Sequence, residues 1–212
     1  MTRLLIIRHG QSTANLERRF AGHYNADLSE LGLKQAEKTA DFVINNYHVD
    51  RIYSSDLRRA YKTARAVADR LEMPVFVSRG MREIDAGEWE GREFDELLQN
   101  SEDFRHWRED VGSARPTGGE STEELYERVY KTVCNIAEKN DGNTVVIATH
   151  PTPIRFLETR ISGRGMVHMK NIPWVTNASV TELIYDNGKL YAVKVSQDEH
   201  LKQLSSTLPA SV

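Results

Sequence analysis

The hydrophobic positions of this chain form short apolar runs, separated by longer segments in which apolar residues recur at helical spacing. Short runs bounded by polar and turn-forming residues are typical of buried strands. They predict strands at 3–7, 50–54, 74–77, 143–149, 180–185 and 190–195. Asp186-Asn187-Gly188-Lys189 joins the last two runs, and an Asn-Gly pair in that position predicts a β-hairpin.

The segments between the runs predict amphipathic helices. The first is expected to begin after Ser29, a good N-cap, and to end near Asn46. Its expected inner face carries Leu33, Ala36, Ala40, Val43 and Ile44. Further helices are expected over 57–71, after the capping box Ser121-Thr122-Glu123-Glu124, and over 154–161. Strands that alternate with helices predict an α/β fold with a largely parallel sheet and helices on both faces.

Segment 91–119 interrupts this alternation. Its large apolar residues stand among many charged ones, and they are Phe94, Leu97, Leu98, Phe104 and Trp107. The pattern predicts an insertion with short helices that folds over a site as a cap, within one domain that spans residues 1–212. The small, polar tail 205–212 is expected to be poorly ordered.

Composition narrows the class of protein. The chain has 212 residues, 39% of them hydrophobic, which is enough for one sizeable core. Its net charge of −3 does not favour nucleic acid or an anionic membrane surface as a partner. No apolar stretch is long enough for a transmembrane helix, and the single cysteine, Cys134, excludes an internal disulfide framework. These features predict a cytoplasmic protein.

The first predicted strand runs directly into Arg8, His9 and Gly10. Ligands of open α/β sheets bind at the carboxyl ends of the strands. A histidine in that place can act as a nucleophile, an arginine beside it can hold a phosphate, and a glycine lets backbone approach a ligand. The tripeptide alone is weak evidence for such a site.

Three further residues can complete it. His150 follows the predicted strand 143–149, and Glu83 comes soon after the strand 74–77. Arg59 lies in the first turn of a predicted helix, where anions are favoured. Two histidines, two arginines and one glutamate can thus converge from four separate strand ends.

Taken together, these motifs resemble the histidine phosphatase superfamily, which includes cofactor-dependent phosphoglycerate mutases, fructose-2,6-bisphosphatases and small bacterial phosphomonoesterases. The resemblance covers nearly the whole chain and implies a three-layer α/β/α sandwich with a mostly parallel central sheet, and a phosphohistidine mechanism. The motifs that carry it are Arg8-His9-Gly10 with Asn15, Asp27-Leu28-Ser29 with Gly32, 54–60, Glu83 with Gly87 and Gly91, and Ala148-Thr149-His150.

The resemblance also implies roles for single residues. It implies that His9 is the nucleophile, that Glu83 donates a proton to the leaving group, and that His150 is the second histidine of the pocket. Arg8 and Arg59 are implied to hold the phosphate. The residues implied to line the substrate side are Gln11, Ser12, Asn15, Ala21 and Gly22.

Two details refine this assignment. Arg59 is preferred over Arg58 because the arginine of the family precedes a small residue, here Ala60. Pro151 follows His150, where the family usually has glycine, and proline has no N–H to donate to a phosphate. The neighbouring Thr152 could compensate.

The expected chemistry requires no metal and no cofactor. Charge develops on the oxygens of a transferring phosphoryl group, and two arginines with His150 can stabilise it. The same cations disfavour protonation of His9, which keeps its imidazole available for attack. A zinc site at His9 and His150 is disfavoured, because the nearby arginines repel a cation.

Three functions stay open at this point. The favoured one is a phosphomonoesterase acting on a small phosphorylated metabolite; the others are a phosphoglycerate mutase and a catalytically silent binding protein. A mutase must hold a second anionic group, yet segment 91–119 has four basic and seven acidic residues. Segment 117–121 resembles the Pro-Gly-Gly-Glu-Ser sequence of the phosphatase branch. The sequence does not fix the oligomeric state, for which a homodimer is one option.

Overall fold

Six strands form a single sheet in the computed structural model, which describes residues 1–206. The strands are β1 (Thr2–Arg8), β2 (Arg51–Ser54), β3 (Val75–Val77), β4 (Thr144–Thr149), β5 (Val180–Asp186) and β6 (Lys189–Gln197). All six predicted strands are confirmed, with ends that differ by no more than two residues. Residues 207–212, most of the tail for which the sequence predicts poor order, lie outside the described residues.

Seven α-helices accompany the sheet within residues 1–206. They are α1 (Thr13–Leu16), α2 (Glu30–Asn46), α3 (Arg58–Leu71), α4 (Phe94–Asn100), α5 (Glu102–Glu109), α6 (Thr122–Lys139) and α7 (Pro151–Ser162). None of these described helices is long and apolar enough to cross a membrane. The Ser29 cap of α2 and the capping box between Ser121 and Glu124 are confirmed. α7 begins three residues earlier than predicted because Pro151, with its fixed φ, suits the first turn of a helix.

The strand order is β3-β2-β4-β1-β5-β6. The first four strands are parallel, whereas β5 pairs antiparallel with both β1 and β6. The predicted hairpin is therefore confirmed, and the sheet is a mixed one with a parallel central part. Helices cover both faces, which makes the fold the expected three-layer α/β/α sandwich.

The alternation of side chains along β1 shows how the layers form. Leu4 and Ile6 pack on one face of the sheet, and Leu5 and Ile7 pack on the other. The second face is covered by α2 and α3, and the first by α6, α7 and the insertion. Each fully buried side chain of this kind contributes about 1.5–3 kcal/mol to stability, so the strand that carries Arg8 is held firmly on both sides.

One prediction for α2 is wrong. Leu33 does not face the core but is 48% exposed, whereas Gly32, Ala36, Ala40 and Val43 are buried. The buried face keeps Ala36, Ala40 and Val43 as predicted, but at its start Gly32 is buried in place of Leu33. Gly32 lies against the backbone of the segment that follows β1.

The predicted short helices of the insertion are α4 and α5. Their apolar side chains join the core on one face of the sheet, and they are Phe94, Leu97, Phe104 and Trp107. Asp103 fixes α5 in place, because its Oδ2 accepts hydrogen bonds from Trp89 Nε1 and from the amide and hydroxyl of Thr117. Burial alone would raise the pKa of Asp103, but these hydrogen bonds and one from Ser101 lower the pKa to about 2.

Candidate active site

The pairing of β1 with β4 brings the two histidines together. Arg8 is the register partner of Thr149, so the next residues, His9 and His150, lie side by side at the carboxyl ends of the strands. Their ring centroids are 5.2 Å apart. Both side chains are buried, His9 at 3% exposure and His150 at 0%.

Hydrogen bonding fixes the chemical form of His9. Its Nδ1 lies 2.7 Å from the carbonyl oxygen of Gly10. A carbonyl can only accept, so Nδ1 carries the proton and Nε2 of the neutral ring has a free electron pair. Burial lowers the pKa of His9 well below its ordinary value, and the charges of Arg59 and Arg8 lower it further. The contact and the lowered pKa both favour a neutral imidazole at His9 whose Nε2 has a free electron pair.

His150 is held by the neighbouring strand end. Its Nε2 lies 2.9 Å from the hydroxyl oxygen of Ser55, which directly follows β2. Its buried Nδ1 has no hydrogen-bond partner among residues 1–206. Burial lowers the pKa of His150 well below its ordinary value, and the positive charge of Arg59 lowers it further. His150 thus offers one uncommitted ring nitrogen beside His9.

Arg8 is completely buried at the end of β1. Its Nη1 donates to the carbonyl oxygen of Val175, and its Nε and Nη2 have no hydrogen-bond partner within residues 1–206. Burial lowers the pKa of Arg8 to about 9, although Glu83 partly offsets the effect. The two uncommitted nitrogens are suited to binding an anion.

Arg59 lies in the first turn of α3 and is 1% exposed. Its Nη2 donates to the carbonyls of Ala21 and Gly22 at 2.7 and 2.8 Å, and its Nη1 donates to the carbonyl of Tyr24. Burial lowers the pKa of Arg59 to about 10. Arg58 is exposed and is not among the residues that line the cavity. The structure therefore places Arg59, and not Arg58, at the site.

Glu83 is the acidic group of the site and is 5% exposed. Its Oε1 accepts from the amide of Ile84 at 2.8 Å, and its Oε2 accepts from the amide of Thr152 at 3.2 Å. Burial raises the pKa of Glu83, while the hydrogen bonds from Ile84 and Thr152 act in the opposite direction. A carboxyl with a raised pKa can hold a proton for transfer.

The first turn of α7 explains the departure at Pro151. The residue after His150 has no N–H, and the next amide, that of Thr152, is directed at Glu83. Both Pro151 and Thr152 line the cavity. In this chain the turn therefore holds the carboxyl of Glu83, a contact of Thr152 that the sequence did not indicate.

The residues implied to line the substrate side divide into two groups. Ser12 caps α1 and forms a reciprocal pair with Asn15, whose Oδ1 accepts from the Ser12 amide. Both residues line the cavity, as does Ala21. Gln11 bonds to Ser29 away from the cavity, and Gly22 contributes its carbonyl to Arg59. Gln11 and Gly22 therefore act as supports for neighbouring elements.

Gly10 serves close packing within the protein. A Cβ at Gly10 would lie 2.4 Å from the carbonyl oxygen of Gly32, and a Cβ at Gly32 would lie 2.0 Å from that of Gln11. The two glycines let α2 pack directly against the segment after β1. The sequence suggested a close approach to a ligand at Gly10, but the approach seen is between two parts of the chain.

A cavity that is open to the surface lies above these groups. It is lined by His9, Ser12, Asn15, Arg19, Phe20, Ala21, Arg59, Glu83, Phe94, Trp107, Pro151, Thr152 and Trp174. Arg8 and His150 lie outside this lining, among the buried groups next to it. Arg19 and Trp174 were missed by the sequence reasoning, because both stand in irregular segments without a periodic pattern. Within residues 1–206, no three His, Cys, Asp or Glu side chains are grouped as metal ligands.

The chain belongs to the histidine phosphatase superfamily (branch 1), whose family model matches residues 4–198. This match agrees with the paired histidines, the buried arginines and the carboxyl that the fold brings together at one end of the sheet.

Individual relatives show the same likeness. Phosphoserine phosphatase 1 of Hydrogenobacter thermophilus is 35% identical over 77% of this chain and 77% of its own length. The structure of YhfR from Bacillus stearothermophilus superposes with a TM-score of 0.90 at 28% identity, over 95% of this chain and 100% of that one. A mycobacterial glucosyl-3-phosphoglycerate phosphatase, complexed with VO3, gives a TM-score of 0.84 at 29% identity, over 92% and 98% of the two chains. Three mycobacterial relatives are longer, and this chain spans 43% of their length.

Proposed function

We propose that this protein is a phosphomonoesterase that hydrolyses a small phosphorylated metabolite through a phosphohistidine on His9. One observation carries the proposal. The bond from Nδ1 to Gly10 fixes the tautomer of His9, so that its Nε2 is nucleophilic in a pocket with two buried arginines. Two of the three relatives described individually above are named as phosphatases, which supports a phosphatase over a mutase.

The first half of the reaction transfers the phosphoryl group to the protein. Nε2 of His9 attacks phosphorus, the N–P bond forms and the P–O bond to the leaving group breaks. Glu83, whose pKa is raised by burial, is the proposed acid and gives a proton to the departing alkoxide. Arg8, Arg59 and His150 stabilise the charge on the phosphoryl oxygens.

The second half returns the site to its starting state. Glu83 is now a carboxylate and takes a proton from an incoming water. The water oxygen attacks phosphorus, the N–P bond breaks, and inorganic phosphate leaves. The arginines supply the positive charge for both steps, so we propose that the reaction requires neither a metal nor a cofactor.

The same proposal covers the surroundings of the site. Segment 91–119 acts as a cap within a single domain, which is supported by Phe94 and Trp107 lining the cavity. A net charge of −3 and a single cysteine support a cytoplasmic protein that binds neither nucleic acid nor membrane.

Trapping the intermediate tests this function. Brief mixing with ³²P-labelled substrate should place acid-labile, base-stable label on the protein. His9→Ala should carry no label, and its turnover rate should fall by at least about 10⁴-fold, as for the loss of other catalytic residues of this kind. The control is His48→Ala, since the side chain of His48 is 91% exposed. Base-stable label that persists in His9→Ala would contradict the assignment.

A further inference from the structure

The cavity has an apolar side. Apart from the groups assigned to phosphate, most of its lining is aromatic or otherwise apolar: Phe20, Ala21, Phe94, Trp107, Pro151 and Trp174. We infer that the alcohol part of the substrate is uncharged and apolar, and that it packs against Trp174. This inference rests on the proposed function and adds the substrate class.

Charge balance supports an uncharged leaving group. Among the described residues that line the cavity, the cations are Arg59, assigned to phosphate, and Arg19. Arg19 donates from Nη2 to Oε1 of Glu93 at 2.9 Å and from Nε to Oε2 of Glu17 at 3.2 Å. Its Nη1 donates to the carbonyl oxygen of Gly91. The charge of Arg19 is thus already compensated by two carboxylates.

This compensation disfavours a second anion on the substrate. A carboxylate or a second phosphate would enter a partly buried wall without an uncompensated cation to pair with it. Placing an unpaired charge in such surroundings is costly. Phosphoserine and phosphoglycerates carry such a carboxylate, so we expect them to be poorer substrates than neutral esters.

Trp174 is held in place before any ligand binds. The Arg155 guanidinium lies 3.9 Å from the centre of its ring. Arg155 is itself buried, and it donates to the carbonyls of Ile172 and Met169 at 3.0 and 2.8 Å. The ring is therefore a preorganised flat surface, which reduces the entropy lost when an apolar group packs against it.

A comparison of four esters tests the inference: 2-phenylethyl phosphate, ethyl phosphate, O-phosphoserine and 3-phosphoglycerate. All four are esters of primary alcohols, so each leaving group needs a proton from the same acid. Burial of a phenyl group predicts that kcat/KM for 2-phenylethyl phosphate exceeds that for either carboxylate ester by about 10- to 100-fold. Most of the difference should appear in KM.

Two variants locate the effect. Trp174→Ala should lower kcat/KM for 2-phenylethyl phosphate about tenfold and change that for ethyl phosphate little. Its control is Val167→Ala, a 62% exposed position in the same segment. Glu93→Gln should remove one of the two carboxylates that compensate the charge of Arg19, and so lower KM for 3-phosphoglycerate while leaving KM for 2-phenylethyl phosphate unchanged.

The outcomes separate this inference from the proposed function. If kcat/KM for phosphoserine or 3-phosphoglycerate equals that for 2-phenylethyl phosphate, the inference is overturned. Label trapped on His9 would in that case still support the phosphatase. If Trp174→Ala fails to fold, the comparison of wild-type substrates and the Glu93→Gln result decide. No label from any of the esters, together with no turnover, would overturn the phosphatase itself.

Discussion

The two sides of the cavity are built in different ways. On the phosphate side, His9 and His150 directly follow strands, and Arg59 lies in the first turn of a helix. On the apolar side, Trp107 comes from the insertion and Trp174 from the irregular chain before β5. The register of the sheet therefore fixes the two histidines, whereas separate segments of the chain supply the two tryptophans of the apolar side.

Since different segments supply the two sides, we expect reaction and substrate selectivity to be separable in this fold. A change in segment 91–119 or near Trp174 should alter the apolar wall and leave the strand ends that carry the histidines in place. The relatives named above carry different phosphate esters in their names, phosphoserine and glucosyl-3-phosphoglycerate.

Glu83→Gln should produce the largest loss. Hydrolysis of alkyl phosphates should fall by about 10²–10⁴-fold, because an alkoxide leaves poorly without a proton. Phenyl phosphate should suffer less, since phenolate is a stable leaving group. Steady-state kinetics on ethyl and phenyl phosphate measure both, with the exposed Glu88→Gln as control. Equal losses on the two esters would remove Glu83 from the role of acid.

Arg59→Ala should lower kcat by about 10²–10³-fold, the usual effect of removing one charge-stabilising donor. Arg58→Ala is the matched control on the same turn and should be nearly silent, because that side chain is exposed. Thermal unfolding of both variants checks that the loss is not one of folding. Similar losses in the two variants would contradict the placement of Arg59 at the phosphate.

Thr152→Val should shift the pH profile more than the rate. The hydroxyl and amide of Thr152 both lower the pKa of Glu83, and valine removes only the hydroxyl. The pKa of Glu83 should then rise, so the alkaline decline in kcat moves to higher pH. The rate itself should change within about tenfold, the value of one hydrogen bond. Thr152→Ser should behave as wild type; a shift to lower pH in the valine variant would contradict the contact.

Asp103→Asn should affect stability and leave the phosphate side intact. Loss of the bonds to Thr117 and Trp89 should lower the free energy of unfolding by about 1–3 kcal/mol in urea titrations. The pKa of Asp103 is below its ordinary value in the folded protein, so its contribution is full above about pH 4 and declines as pH falls toward 2. Glu102→Gln, an exposed neighbour, should show neither effect.

The predictable part of the molecule is the regular part. The strand ends at His9 and His150, and the caps at Ser29 and Ser121, follow from short-range signals that the fold preserves. The prediction for Leu33 is wrong because the apolar pattern does not show that Gly32 packs tightly against the segment after β1, which leaves the neighbouring Leu33 exposed.

The unpredictable part depends on tertiary contacts between irregular segments. Nothing near Trp174 in the sequence indicates that Arg155, on another element, covers its ring. Likewise, the pairing of Arg19 with Glu93 joins residues 74 positions apart. The sequence shows which side chains are charged or aromatic. It does not show which of the charged side chains are already paired with one another.

The buried guanidinium of Arg8 has a consequence for turnover. Two of its nitrogens lack a hydrogen-bond partner among residues 1–206, and a desolvated, incompletely bonded cation raises the free energy of the folded state. If Arg8 holds phosphate as proposed, an oxyanion of either the substrate or the product would supply the missing bonds. Inorganic phosphate should therefore raise the melting temperature and inhibit competitively, and the escape of product would then limit how fast this enzyme can run.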